Sequence, residues 1–160
     1  MNGVRKKSMG ALAIILVICI VSAWQIHRVY YFNPLTFRQN AVTPALWTYY
    51  KNPMELDVWY QNFYGTSYRY TTKNRMEINY VLSELRNAHP ETAYTPSWDV
   101  GQRGQIWVQF HNPVSGNDYV NAIIRDNFRV DLLNGVNHPF EVTSGLKEFI
   151  EQKKSNANLD

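Results

Sequence analysis

The nearest approach to a catalytic motif is Ser144-Gly145-Leu146-Lys147, a Ser-x-x-Lys pattern. In acyl-transferring enzymes this spacing sets an amine beside a hydroxyl on one helix, where it assists attack on a carbonyl. Ser115-Gly116-Asn117 imitates the second motif of such enzymes. The order is reversed, no Lys-Thr-Gly follows, and 160 residues are too few for that fold. Ser144 is read instead as a helix N-cap, a position that serine favours.

The four histidines, His27, His89, His111 and His138, show neither H-x-H nor H-x-x-x-H spacing. No local metal pair can be drawn from them. His89 and His138 precede prolines and belong in loops; His111 closes a strand on the face opposite Ile106. Glu55 and Asp57 fall on one side of a strand, and Glu148 and Glu151 on the outer face of a helix. Both pairs read as solvated carboxylates. The glycines of Asp99-Val100-Gly101-Gln102-Arg103-Gly104 lack the Lys and the strand–helix setting of a phosphate loop. The sequence assigns no catalytic residue, no metal and no cofactor.

The distinctive composition is aromatic, with 11 Tyr and 5 Trp. Trp59, Tyr68, Tyr70, Trp98 and Trp107 are the candidate binding residues, because Tyr and Trp combine large contact area with a polar handle. Cross-strand packing is the competing role. Trp59 and Tyr60 must point to opposite faces of their strand, whereas Tyr68 and Tyr70 share one.

These residues need a scaffold. Leu56–Tyr60 and Tyr68–Thr71 read as strands around a turn at Tyr64–Ser67. Asn74 followed by Glu77 resembles a capping box, and Ile78, Val81, Leu82 and Leu85 mark one helix face that ends at Asn87–Pro90. A polar loop over 89–104 leads to the alternating strand Ile106–Phe110. After a turn at Pro113–Asp118, Tyr119–Arg125 and Phe128–Leu133 flank the tight Asp126-Asn127 pair. Phe128, Val130 and Leu132 are expected on one face. Asn134-Gly135 turns the chain into a short strand, Phe140–Val142, and Ser144 opens a final helix that buries Leu146, Phe149 and Ile150. Thr43-Pro44 suggests a further short helix over Ala45–Lys51.

The opening residues set where this scaffold sits. Between Lys7 and His27 no residue is charged, which leaves 19 residues, Ser8–Ile26. As a helix they span roughly 28 Å, close to the hydrocarbon thickness of a bilayer. Arg5, Lys6 and Lys7 precede them and Trp24 lies near the far end, the arrangement of a positive-inside span with an interfacial aromatic. A cleavable signal peptide is the alternative, with Val21-Ser22-Ala23 as the site before Trp24. Ile18 before Cys19 is unsuited to a lipoprotein signal. Cys19 is the only cysteine, so no intrachain disulfide exists.

The net charge is +3, and the three N-terminal cations account for it; the other 13 Lys/Arg balance 13 Asp/Glu. A nucleic-acid module would carry its excess on the folded domain, so that class is excluded.

The expected protein is α+β: an N-terminal transmembrane helix, then a mostly antiparallel β-sheet packed with one or two helices in the order β-β-α-β-β-β-β-α. Residues 1–7 form a cytoplasmic basic N-terminus, 8–26 the span, 27–55 a stalk, 56–152 an extracytoplasmic domain and 153–160 a frayed tail. In outline this resembles small Gram-positive surface proteins. The expected role is a single-pass, cell-membrane-anchored interaction domain without enzymatic activity. It contacts the bilayer through residues 8–26 and an envelope or membrane protein through the domain. The alternatives are a secreted or wall-glycan-binding protein and a small hydrolase with a loop-borne site.

Overall fold

A computed structural model describes residues 2–61, 67–90, 104–125, 128–156 and 158–159. Helix α1 runs Asn2–Val29. The strands are β1 Glu55–Gln61, β2 Ser67–Thr72, β3 His89–Pro90, β4 Gln105–His111, β5 Asp118–Arg125, β6 Arg129–Leu133, β7 Val136–Glu141 and β8 Asn158–Leu159; α2 Arg75–Arg86 and α3 Ser144–Asn156 complete the domain. All pairings are antiparallel, in the order β3-β7-β6-β5-β4-β1-β2-β8, with β3 and β8 as two-residue edges. The α+β class matches the sequence expectation; the element order departs from it by the two short edge strands, β3 and β8, which the sequence did not signal.

Alternation decides the faces. Leu56, Val58 and Tyr60 of β1, Val108 and Phe110 of β4, and Val120, Ala122 and Ile124 of β5 are buried on one side. The helices cover that side. Ile78, Val81, Leu82 and Leu85 of α2 and Leu146, Phe149 and Ile150 of α3 join the same core. The Tyr60 hydroxyl donates to the Ile150 carbonyl at 2.8 Å, and burial drives its pKa upward.

Local chemistry explains the helix starts. The Asn74 side chain accepts from the Met76 N–H at 2.9 Å, as a cap should. Glu77 does not close a capping box; it accepts from the Tyr70 hydroxyl at 2.7 Å and from Lys153 at 2.6 Å. For α3 the cap is Thr143, not Ser144: the Thr143 hydroxyl accepts from the Leu146 N–H at 3.2 Å and donates to Glu84. Gly145 lets the helix start pack closely on α2: a Cβ there would lie 2.6 Å from the Tyr80 hydroxyl and 2.8 Å from Glu84 Oε2, and both side-chain ends would have to shift. Residues 153–156, expected as frayed tail, continue α3, and Lys153 ties them to α2.

The Glu77–Lys153 pair makes stability pH-dependent. Burial pushes the Glu77 carboxyl up, but the bonds from Lys153, Tyr70 and Thr72 together outweigh it and hold the carboxyl below its usual range. Its contribution is present above the unfolded carboxylate pKa and is lost as pH falls through the lower, folded value. Lys153 is raised by its bond to Glu77, so its contribution is present below the ordinary lysine pKa and is lost as pH rises through the folded value. Lys153→Met costs about 1 kcal/mol at neutral pH in urea unfolding. That loss fades as pH falls through the folded-state value of Glu77, below which the carboxyl is protonated in both proteins.

Several expectations are corrected. Within the stretch read as a stalk, Tyr31, Val42, Tyr50 and Met54 enter the core. Tyr31 N–H donates to the Tyr50 carbonyl at 2.8 Å, Arg75 to the Tyr31 carbonyl at 2.6 Å, and the Tyr31 hydroxyl to Asn79 at 2.9 Å. Burial raises the Tyr31 pKa to about 12, against the opposing pull of Arg75. No helix forms over Ala45–Lys51 beyond a single 3-10 turn at Trp47–Tyr49. Thr43 does not cap it, because its hydroxyl is buried between Asn40 and Arg86. His89–Pro90 pairs with β7 rather than standing in a loop. The register shifts between Val130 and Leu132, so strict alternation fails and Leu133 is buried alongside Val130. Phe128 precedes β6 at φ 59. Asn134 and Gly135 take φ 52 and 78, the two left-handed positions of a type I′ turn. The turns at Tyr64–Ser67 and Asp126-Asn127 fall wholly or mostly outside the described residues.

Candidate binding face

The second face of the sheet carries the odd-numbered residues of β1, β2 and β4. Among the described residues no helix packs on it. Register places Arg69 opposite Trp59, Trp59 opposite Trp107, and Trp107 opposite Ile123. At about 4.8 Å between strands this row of four crosses roughly 14 Å of sheet. Trp59, Trp107 and Ile123 are half-buried. A parallel row on one side holds Gln61, Gln105 and Arg125; the row on the other holds Thr71, Asp57, Gln109 and Asn121. Two indoles thus lie between lines of amide and charged side chains.

A buried ion pair orients one indole. Asp57 is 1% exposed although it lies on the helix-free face. Arg69 meets it through Nη2 at 2.6 Å and Nε at 3.4 Å, and the Thr71 hydroxyl donates to it at 2.5 Å. The same guanidinium lies 5.2 Å from the centre of the Trp59 ring. Asp57 therefore fixes Arg69, and Arg69 restrains Trp59 through a cation–π contact. His111 Nδ1 is 3.7 Å from Asp57, and Lys73 pairs with Glu55 at 3.2 Å. Glu55 and Asp57, read as solvated, are thus both buried and partnered, because neighbouring cations and a hydroxyl replace their water. The Asp57–His111 approach has the residue types of an acid–base pair, but Asp57 is already held by Arg69 and Thr71, which suits a positioning role.

The five candidate aromatics divide. Trp59 and Trp107 come together on the helix-free face. Tyr68 and Tyr70 lie on the helix-covered face instead. Tyr70 bonds Glu77 and sits 6.3 Å from the Phe149 ring, so it is a packing residue. Tyr68 lines an open depression of about 420 Å³ between the sheet end and α3, with Tyr60, Gln105, Ile106, Phe128 and Lys154 among its walls. Trp98 lies outside the described residues. Sequence reasoning missed Asp57, Arg69 and Thr71; the Arg69–Thr71 alternation was a usable signal, since one strand register opposes both residues to β1.

Of the topology residues, Arg5, Lys6 and Lys7 fall within the backbone of α1. Trp24 is exposed, with Arg28 Cζ 5.5 Å from its ring centre. From Leu12 to Val29, α1 is long and apolar enough to cross a membrane, and none of that stretch is buried by the rest of the chain. Groups of His, Cys, Asp and Glu suited to a metal ion do not occur among the described residues. No family model matches the chain, and no curated protein or solved structure is significantly similar to it.

Proposed function

We propose that this protein is a single-pass, membrane-anchored binding domain of the bacterial cell envelope. Its N-terminus is cytoplasmic, its domain extracytoplasmic, and its helix-free sheet face engages an envelope or membrane protein. The carrying observation is the Trp59–Trp107 pair on that face, with one indole held by the Arg69–Asp57 lock. A preorganised aromatic pair loses little side-chain entropy when a partner covers it, which is the property of a hot spot. Anchoring rests on the uncovered apolar helix α1 and the basic residues before it.

A second reading has its own support. Amide side chains at Gln61, Gln105, Gln109 and Asn121 flank the indoles. Indoles stack on sugar rings and amides bond hydroxyls, so a wall glycan suits the same face.

The test places a photo-crosslinking residue at Gln109 and, as control, at Glu148 on the outer face of α3, in cells expressing the full chain. A discrete protein adduct from position 109 alone is expected. Trp107→Ala should weaken it about thirtyfold, the loss of one hot spot, with unchanged circular dichroism. Adducts at both positions, or none at 109 while purified protein sediments with wall polymer, would turn the reading away from a protein partner. Intact mass of the membrane fraction checks the anchor: a chain beginning at Trp24 in the medium would mean a signal peptide.

A further inference from the structure

We infer that the domain rests directly on the lipid headgroup layer, through the apolar loop tips at Leu46–Trp47 and Val114 and the cations Arg28 and Lys51. This rests on the membrane-anchor reading and extends it from the helix to the domain surface.

The junction has no slack. The Asn52 side chain donates to the carbonyls of His27 at 3.1 Å, Arg28 at 3.4 Å and Tyr30 at 2.9 Å, and the Asn52 N–H donates to the Val29 carbonyl at 2.9 Å. These are orphan carbonyls of a helix end, satisfied by a residue of the domain. Tyr30 bridges to Lys51, and its ring meets Trp47 edge to face at 4.7 Å. From Ile26, the last residue of the uncharged run, α1 extends only three residues to Val29, about 4.5 Å. The headgroup layer is roughly 5–7 Å deep on each side. Whatever is clamped to Val29 must therefore lie in that layer.

The parts clamped there have the right chemistry. Leu46 directly precedes Trp47 and is 64% exposed. Val114 sits on the β4–β5 turn and is 82% exposed. That turn is held against the junction, since the Asn112 side chain donates to the Lys51 carbonyl at 3.4 Å and accepts from the Val114 N–H at 2.9 Å. Tyr119 binds the other side of Lys51, its hydroxyl accepting from the Lys51 N–H at 3.0 Å. Single exposed apolar residues are ordinary, but two tips beside one helix exit form a surface. Lys51 and Arg28 are exposed at the same end, complementary to anionic headgroups.

The test uses the full chain, with Cys19→Ser, in nanodiscs containing phosphatidylglycerol. Spin labels are placed singly at Leu46→Cys, Val114→Cys and, at the far end of β1, Gln61→Cys. Labels at 46 and 114 should relax faster with oxygen, which partitions into lipid, than with a water-soluble nickel chelate; the label at 61 should show the reverse. Asn52→Gly should shift the labels at 46 and 114 toward the chelate. If α1 resists carbonate extraction but all three labels report water, the seating is wrong and the anchor stands. If the chain is extracted or cleaved, both fall.

Discussion

Arg69→Leu should lower the unfolding free energy of the domain by about 3 kcal/mol, more than Asp57→Asn, which should cost about 1 kcal/mol. The asymmetry follows from exposure. The Asp57 side chain is 1% exposed and the Arg69 side chain 44%. Without Arg69, a buried carboxylate keeps the Thr71 hydroxyl and a distant His111 but loses its main cation. Without the Asp57 charge, Arg69 turns to water and the amide still accepts from Thr71. The double variant should therefore lie close to Asp57→Asn alone, a coupling of roughly 3 kcal/mol in a double-mutant cycle. Urea unfolding of the four proteins gives the answer. Equal costs for the two single variants would mean that the pair is an ordinary surface bridge. Trp59 emission should also shift in Arg69→Leu, because the cation over its ring is gone.

Tyr50→Ala should cost about 4 kcal/mol, and Tyr50→Phe about 1 kcal/mol. Tyr50 is fully buried. Its ring meets Phe32 at 5.1 Å, Tyr119 at 5.5 Å and Phe37 at 5.7 Å, and its hydroxyl accepts from the Ala45 N–H at 3.2 Å. Burial raises its pKa, as expected of a phenol with little water around it. Truncation removes the ring around which residues 31–50 fold. A loss below about 0.5 kcal/mol would mean that this segment is only loosely laid on the domain. The denaturation midpoint, read by far-ultraviolet circular dichroism, decides between the two.

Local signals were legible where one period ran unbroken. Ile78, Val81, Leu82 and Leu85 mark α2, and the even residues of β1, β4 and β5 mark the core face, because burial there follows helix or strand geometry alone. The bulge between Val130 and Leu132 was not legible, since a register shift depends on the partner strand. The 30–54 segment reads as irregular because its aromatics have no helical or strand period; their order comes from Arg75, Arg86 and Tyr119, far along the chain. The candidate face was half legible. Alternation puts Trp59 and Asp57 together on one side, but β1 lies against β4 only after a helix and a long connection. Nothing local tells Trp59 that it faces Trp107, or separates Tyr68 and Tyr70 from that pair.

The Asn134 side chain donates to the carbonyls of Ala41 and Val42, at 3.0 Å each, and its own carbonyl accepts from the Asn121 N–H at 3.1 Å. Residues 41 and 42 are synthesised early and Asn134 late. On the ribosome, at about 5–20 residues per second, some 90 residues separate them, a wait of roughly 5–20 s. Tyr50 likewise waits for Tyr119. The part of the chain that leaves the translation machinery soon after α1 is thus among the last to find its place, and its Phe and Tyr side chains stay uncovered until the late strands arrive. Any truncation before residue 134 leaves that aromatic stretch without its clasp.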